Sequence, residues 1–297
     1  MESKKSAPHD LMHDALTDNN RKTFAGKSIT ARLRSMLPSS IVRAFRSWSG
    51  TVSRESDEPI WAELFSIERL EQHAESLAAA QHATSKPASD RRLERRLRDN
   101  ERALRAAYHA IALAVSEERP ISPAADWLVD NFYVIEEQVR EIRIDFPPGY
   151  HRQLPKLIDG PLVGYPRVFG LAWAFVAHTD SRFDAQMLCR FVRAYQRVQP
   201  LSIGELWAVA ITLRVVLVEN LRRLAETIVE RQAAREQANV LADRLLGVGS
   251  HGTMPAATLL QDVEGPLPAA FAVQLVQRLR DQDPRVIPVA RSHDSRP

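Results

Sequence analysis

The chain has 297 residues, with 40 Lys/Arg against 37 Asp/Glu, 44% apolar residues and 26% charged ones. These ordinary values exclude a collagen-like, disulfide-rich or wholly disordered chain. A single cysteine, Cys189, leaves no internal disulfide or Cys-based zinc site, and only 11 glycines disfavour a turn-rich all-β fold or a Gly-rich phosphate loop.

The positive charge is local. Residues 1–55 hold 10 Lys/Arg and 5 Asp/Glu, whereas residues 56–297 hold 30 and 32. The body is therefore close to neutral, and no nucleic-acid partner is expected. Residues 1–26 are polar and aperiodic, which predicts disorder. Between 27 and 48, Ile29, Leu33, Met36 and Leu37 share one helical face, and Ile41, Phe45 and Trp48 another. Lys27, Arg32, Arg34, Arg43 and Arg46 lie between them. A basic amphipathic stretch with a Trp suits an anionic membrane surface. A helix docked on the body, or a disordered arm, is the plainer reading.

Helical signals dominate the rest. Pro59 opens a stripe of Ile60, Leu64, Ile67, Leu70, Ala74 and Leu77, which predicts a helix to Gln81. A Ser/Pro/Thr linker follows at 84–89. The spacing predicts a second helix over 90–117, with Leu93, Leu97, Asn100, Leu104, Ala107, Ile111 and Ala114 on its seam. Asn100 on that seam suits a register-fixing buried amide. Ser122 and Pro123 read as the N-cap and first-turn proline of a third helix ending before Pro147, with Leu128, Phe132, Ile135, Val139 and Ile142 inward.

Residues 147–166 carry five prolines and three glycines, with Tyr150, His151, Arg152, Lys156 and Tyr165 interspersed. An irregular stretch this long is usually functional or a linker. Residues 168–177 are apolar on every side and predict a short buried helix. Another helix is expected over 183–198, with Leu188, Phe191, Tyr195 and Val198 inward. Ser202 and Glu205 form a capping box. The helix they start should pass Arg235, on a seam of Leu206, Ala210, Leu213, Leu217, Asn220 and Leu224. Residues 247–268 read as a loop, and a last helix covers 269–281. No alternating strand is seen. The fold class is all-α, with seven or eight helices in one bundle-like domain.

Candidate chemistry is sparse. The cluster Arg91, Arg92, Arg95, Arg96, Arg98, Arg102 and Arg105 alternates with Asp90, Glu94, Asp99 and Glu101, which predicts a self-neutralised solvated face. Asp126, Asp130, Glu137 and Glu141 lack a His at metal-ligand spacing and read as another solvated face. Asp281-Gln282-Asp283 has the form of a glycosyltransferase D-x-D pair but lies at a helix end. His178 and Asp180 supply only two donors, so capping by Asp180 or Asp184 is the expected role. Cys189 is expected to be a packed thiol, and Trp173 and Trp207 to be core. No catalytic residue, metal site or cofactor is assigned. The longest apolar run, Leu206 to Val218, is interrupted by Arg214 and is short of the about 20 residues that a span needs. No secretory signal opens the chain. The expected place is the cytoplasm, at a membrane surface.

Six stretches carry a resemblance: PIWAELFSIERLEQHAESLAAAQ (59–81), WLVDNFYVIEEQVREIR (127–143), PPGYHRQLPKL (147–157), GYPRVFGLAWAFVAHTDSRFD (164–184), FVRAYQRVQPLSIGELWAVAITLRVVLVENLRRLAE (191–226) and AFAVQLVQRLRDQDP (270–284). The chain resembles the N-terminal region of bacterial cyclic β-1,2-glucan synthase over about residues 57–284. That resemblance implies an inner-membrane enzyme family using UDP-glucose, with glycosyltransferase and phosphorylase-like domains downstream of this region. Three segments are expected: an arm (1–55), a helical module (57–284) and an unrelated tail (285–297), as in a truncated gene product. The implied role is a non-catalytic scaffold whose partners are the downstream domains, contacted through Tyr150, His151, Arg152 and Tyr165. A stand-alone carbohydrate-binding or adaptor protein is the alternative.

Overall fold

The computed structural model describes residues 58–60, 62–87, 92–246 and 268–282. The basic stretch 27–48, including Lys27, Arg32, Arg34, Arg43, Arg46 and Trp48, lies outside them, as do Arg91, Asp283 and the tail. The described residues are all-α apart from one two-stranded pair. The chain divides into two compact units, residues 46–230 and residues 1–45 with 231–297.

In the larger unit the first helix starts later than its apolar stripe suggests. Ser66 is the N-cap of α1 (Ile67–Ala80), its hydroxyl accepting from the Arg69 amide at 3.3 Å. The residues before it run along the end of a later helix: the Ala62 and Phe65 amides donate to the Ala177 and His178 carbonyls. Leu64, expected inside, is 63% exposed, whereas Ile60 is buried. β1 (Ala83–Thr84) follows.

The second helix, α2 (Leu93–Ser116), matches expectation closely. Every seam residue from Leu93 to Ala114 is buried, Asn100 included. The expected third helix is two, α3 (Pro123–Asp130) and α4 (Phe132–Asp145). Asn131 separates them, its side-chain amide donating to the Trp127 carbonyl at 2.8 Å, a local bond that competes with helix continuation. Ser122 caps α3 as expected, accepting from the Ala125 amide.

The Pro/Gly-rich stretch is folded. It forms α5 (Pro148–Gln153) and β2 (Lys156–Leu157), and β2 pairs antiparallel with β1, Ala83 opposite Leu157 and Thr84 opposite Lys156. Gly164, at φ 83°, makes the turn that brings the Leu157 amide to the Tyr165 carbonyl at 2.9 Å; such φ values favour glycine.

α6 (Arg167–His178) is the buried centre, with Val168, Phe169, Leu171, Ala172, Phe175 and Val176 almost wholly enclosed. Gly170 permits its close approach to the end of α1, since a β-carbon there would meet the Gln81 side-chain amide at 2.7 Å. α7 (Ala185–Val198) packs mainly on α1, buries Phe191, Ala194 and Tyr195, and is capped by Asp184. Asp180 instead adopts a positive φ in the connecting turn. Val198, at the helix end, is exposed, and so is Cys189.

α8 (Ile203–Leu246) begins at the expected capping box: the Ser202 amide donates to Glu205 Oε2 at 2.9 Å, and the Glu205 amide to Ser202 Oγ at 3.3 Å. Its buried face follows the expected seam only in part: Leu213 and Asn220 are buried. Leu206, Ala210 and Leu224 face solvent, and Trp207, expected in the core, is 75% exposed. Ala208, Thr212, Val215, Glu219, Arg222 and Arg223 face inward instead. In the smaller unit, Ala234, Ala238 and Leu241 pack against Phe271 and Leu275 of α9 (Ala269–Gln282). Gln274 and Arg278 bind Asn239 and Asp243 across that contact. Asp281 falls inside α9.

Candidate functional site

Two arrangements of charged side chains stand out in the larger unit. The first lies inside it. Arg96 of α2, expected on a solvated face, donates to both Glu219 oxygens, through Nη2 at 2.6 Å and through Nε. Its Nη1 donates to Tyr165 Oη at 2.8 Å. Arg223, one turn on from Glu219, donates to the same carboxylate at 2.8 Å and to the Glu58 carbonyl at 2.8 Å. The Trp173 ring lies under both guanidiniums, at 5.6 and 5.0 Å, a cation–π geometry. Burial opposes ionisation of Glu219, but its bonds to Arg96 and Arg223 outweigh this and hold its pKa below the ordinary carboxylate value. The same opposition raises Arg96.

A second internal pair closes the start of α8. Arg167 donates to Glu205 Oε2 at 2.8 Å, to Gln199 Oε1 at 2.9 Å and to the Pro200 carbonyl at 2.8 Å. Burial works against the Glu205 carboxylate, and the bonds from Arg167 and Ser202 still hold its pKa below normal. Asn220 ties the extended segment in place: it accepts from the Ile60 amide at 2.6 Å and donates to Ser181 at 2.8 Å.

The candidate contact residues in 147–166 divide. Tyr150 is half-buried and donates to the Gly204 carbonyl, and burial raises its pKa. His151 and Tyr165 are 1% and 7% exposed, so both serve the packing of this body. Arg152 alone is exposed. Lys156 is 1% exposed, its amine donating to the His151 and Leu154 carbonyls. His178 donates to the Glu63 carbonyl at 2.8 Å and stacks on Phe65 at 3.9 Å, with His73 edge-on at 4.5 Å. Burial and then the neighbouring His178 lower the His73 pKa. No group of three or more His, Cys, Asp or Glu that could hold a metal occurs among the described residues.

The second arrangement is a surface groove between α2 and α4. It is an open depression of about 480 Å³ lined by Glu101, Arg105, Tyr133, Glu136, Arg140 and Arg143, among others. Arg105 bridges Glu136 at 2.9 Å and Glu101 at 3.4 Å, Arg140 meets Glu137 at 3.2 Å, and Arg143 reaches Glu101. An adjoining recess of about 240 Å³ is walled by Tyr108 and Phe132, stacked at 4.4 Å, and by His109.

No family model matches the chain. Over 188 residues, 63% of its length, it is 40% identical to the cyclic β-(1,2)-glucan synthase NdvB of Rhizobium meliloti. The chain is homologous to a segment of a cyclic β-1,2-glucan synthase. It spans 6% of the length of that relative.

Against the synthase relative, the internal carboxylates are the ones to test for acid–base roles. Glu205, Glu219 and Glu226 each accept from an arginine, with Arg222 serving Glu226 at 2.6 Å. The Glu205 and Glu219 carboxylates, held below their ordinary pKa by an enclosed guanidinium, are poor proton donors. The Arg96–Glu219 and Arg167–Glu205 pairs therefore hold helices together, while Arg222–Glu226 lies within α8. Their sequence signal was the i,i+4 pairs Glu219–Arg223 and Arg222–Glu226 directly after the apolar run Val215–Val218. The groove's sequence signal was only the i,i+4 pair Glu101–Arg105, since the rest of it joins residues from two helices that look like separate solvated faces. No described helix is long and apolar enough to cross a membrane.

Proposed function

We propose that this helical body is a non-catalytic scaffold module working within a cyclic β-1,2-glucan synthase. The observation that carries the reading is the internal ion-pair set in a chain related to such an enzyme. It fastens α2 and α8 through Glu219, and the starts of α6 and α8 through Glu205. Enclosed pairs of this kind favour one arrangement of elements rather than chemistry.

The scaffold packs on other domains of the synthase. Arg152 and the exposed edge of Tyr150 supply part of that contact. Ile203 and Trp207, one turn apart and 77% and 75% exposed, supply its apolar anchor, since exposed aromatics on a rigid element make effective contact points. The basic stretch with Lys27, Arg32, Arg34, Arg43, Arg46 and Trp48 meets an anionic membrane surface, which places the body at the inner membrane.

The test uses the Rhizobium meliloti relative with its matching segment deleted. Glucan output should fall, and supplying this chain in trans should restore part of it. Trp207→Ala in the supplied chain should weaken the rescue. Undiminished output from the deleted synthase, or UDP-glucose turnover by the purified chain alone, would overturn the reading. Co-sedimentation with phosphatidylglycerol vesicles, and its loss on replacing the five cations, tests the membrane contact.

A further inference from the structure

We propose that the groove between α2 and α4 is a binding site for a neutral oligosaccharide. The argument starts from its charge. Glu101, Glu136 and Glu137 face Arg105, Arg140 and Arg143, so the opposing charges cancel within the groove. An anionic ligand would have to draw each guanidinium away from its carboxylate, and a cation the reverse. A neutral polyol does neither.

Hydroxyl groups fit what the pairs leave over. A guanidinium carries five N–H donors and a carboxylate about four acceptor positions, and the Arg105–Glu136 contact joins one nitrogen to one oxygen. Both partners remain about half exposed, at 50% and 45%. Adjacent sugar hydroxyls present a donor and an acceptor at a spacing that such planar groups can bridge. Exposed pairs contribute little to stability, so rearranging them around a ligand costs little.

The groove also offers aromatic surface. Tyr133 is 67% exposed at its edge, and the neighbouring recess adds the half-buried Tyr108, backed by the buried Phe132 on which it stacks. Aromatic rings give a flat, low-entropy surface for the C–H face of a sugar ring. The volume of about 480 Å³ falls within the range of about 300–1,000 Å³ usual for ligand sites. Its openness suits a chain passing along the surface and predicts weak, fast-exchanging binding. This inference stands independently of the scaffold reading, which needs no ligand.

The probe is purified cyclic β-1,2-glucan, chosen because the relative's name gives it as the product, titrated into the intact chain by calorimetry and by NMR of the tyrosine rings. Saturable binding is expected, with tyrosine shifts, a loss of about tenfold in affinity for Tyr133→Ala and for Glu136→Gln, and no change for Trp207→Ala. These side chains are exposed, and melting curves of the variants verify that each remains folded. Absence of saturation at about 10 mM glucan, an affinity in the two groove variants unchanged from that of the unsubstituted chain, or tighter binding of UDP-glucose than of the neutral glucan would each overturn the proposal. Failure here would leave the complementation test of the scaffold untouched.

Discussion

The two sets of Arg–Glu pairs in this protein use the same chemistry to opposite ends. In the enclosed set, Arg96 and Glu219 are 13% and 2% exposed; in the groove, Arg105 and Glu136 are 50% and 45% exposed. Inside, charges cannot turn to water, so each fixes its partner and the helix that carries it. Outside, water competes for every donor and acceptor, so the pairs exchange and can admit another polar ligand. Burial, and not residue type, separates a structural ion pair from a recognition surface.

The sharpest way to break that contrast is Glu219→Ala. It strands Arg96 and Arg223 in the interior, and removing one partner of a buried pair costs about 3–5 kcal/mol. Urea unfolding should show this as a lowered midpoint with an unchanged slope. A joint replacement, Arg96→Met, Glu219→Leu and Arg223→Met, should recover most of the loss, because apolar residues of similar volume avoid the desolvation penalty. If the single and the joint replacement lose equally, the enclosed pairs contribute more than fixed geometry.

Acidity separates the regions next. Glu219 and Glu205 have pKa values held below their ordinary 4.5. The stability they contribute is complete above that value and is lost as pH falls through their depressed folded-state values. His73 is a half-buried base whose pKa is lowered from 6.5. Below that pH the unfolded chain takes up the proton first, so stability starts to fall there. The melting temperature should therefore be level above pH 7, decline gently below about 6.5 and drop steeply below about 4.5. His73→Asn should remove the gentle limb and leave the steep one.

Much of this fold could be read from the residues, and the misses have a common cause. The α2 seam and the Ser202–Glu205 box were legible because local periodicity and capping determine them without reference to distant partners. The face of α8 was legible only in part: Leu213 and Asn220 are inside as their spacing suggests. Leu206 and Leu224 carry the apolar spacing yet face solvent, while Arg222 and Arg223 face inward, because the carboxylates that make the arginines tolerable inside are visible only in three dimensions. The same applies to Lys156, whose burial depends on two carbonyls within its own turn. Proline and glycine density in 147–166 signalled irregular backbone but not that β1 would pair with it. The groove is a relation between α2 and α4, which no single helix announces.

Ser202→Ala tests an effect of middle size. It removes the hydroxyl that accepts from the Glu205 amide and donates to the Glu205 carboxylate. A lost N-cap costs about 1 kcal/mol, and the loss should persist in high salt because no net charge is removed.

The smallest effect decides the comparison most directly. A double-mutant cycle on Arg105 and Glu136, with alanine at each, should give a coupling of about 0.2–1 kcal/mol. In 1 M salt, where the screening length falls to about 3 Å, that coupling should vanish. The matching cycle on Arg96 and Glu219 should keep most of its coupling, because ions do not enter the space between enclosed partners. Salt should leave glucan affinity at the groove almost unchanged if hydroxyls and ring faces make the contact, since a neutral ligand displaces no counterions. A groove coupling that survives high salt would mean its pairs are as fixed as the internal ones, and a surface so fixed could not rearrange around a sugar.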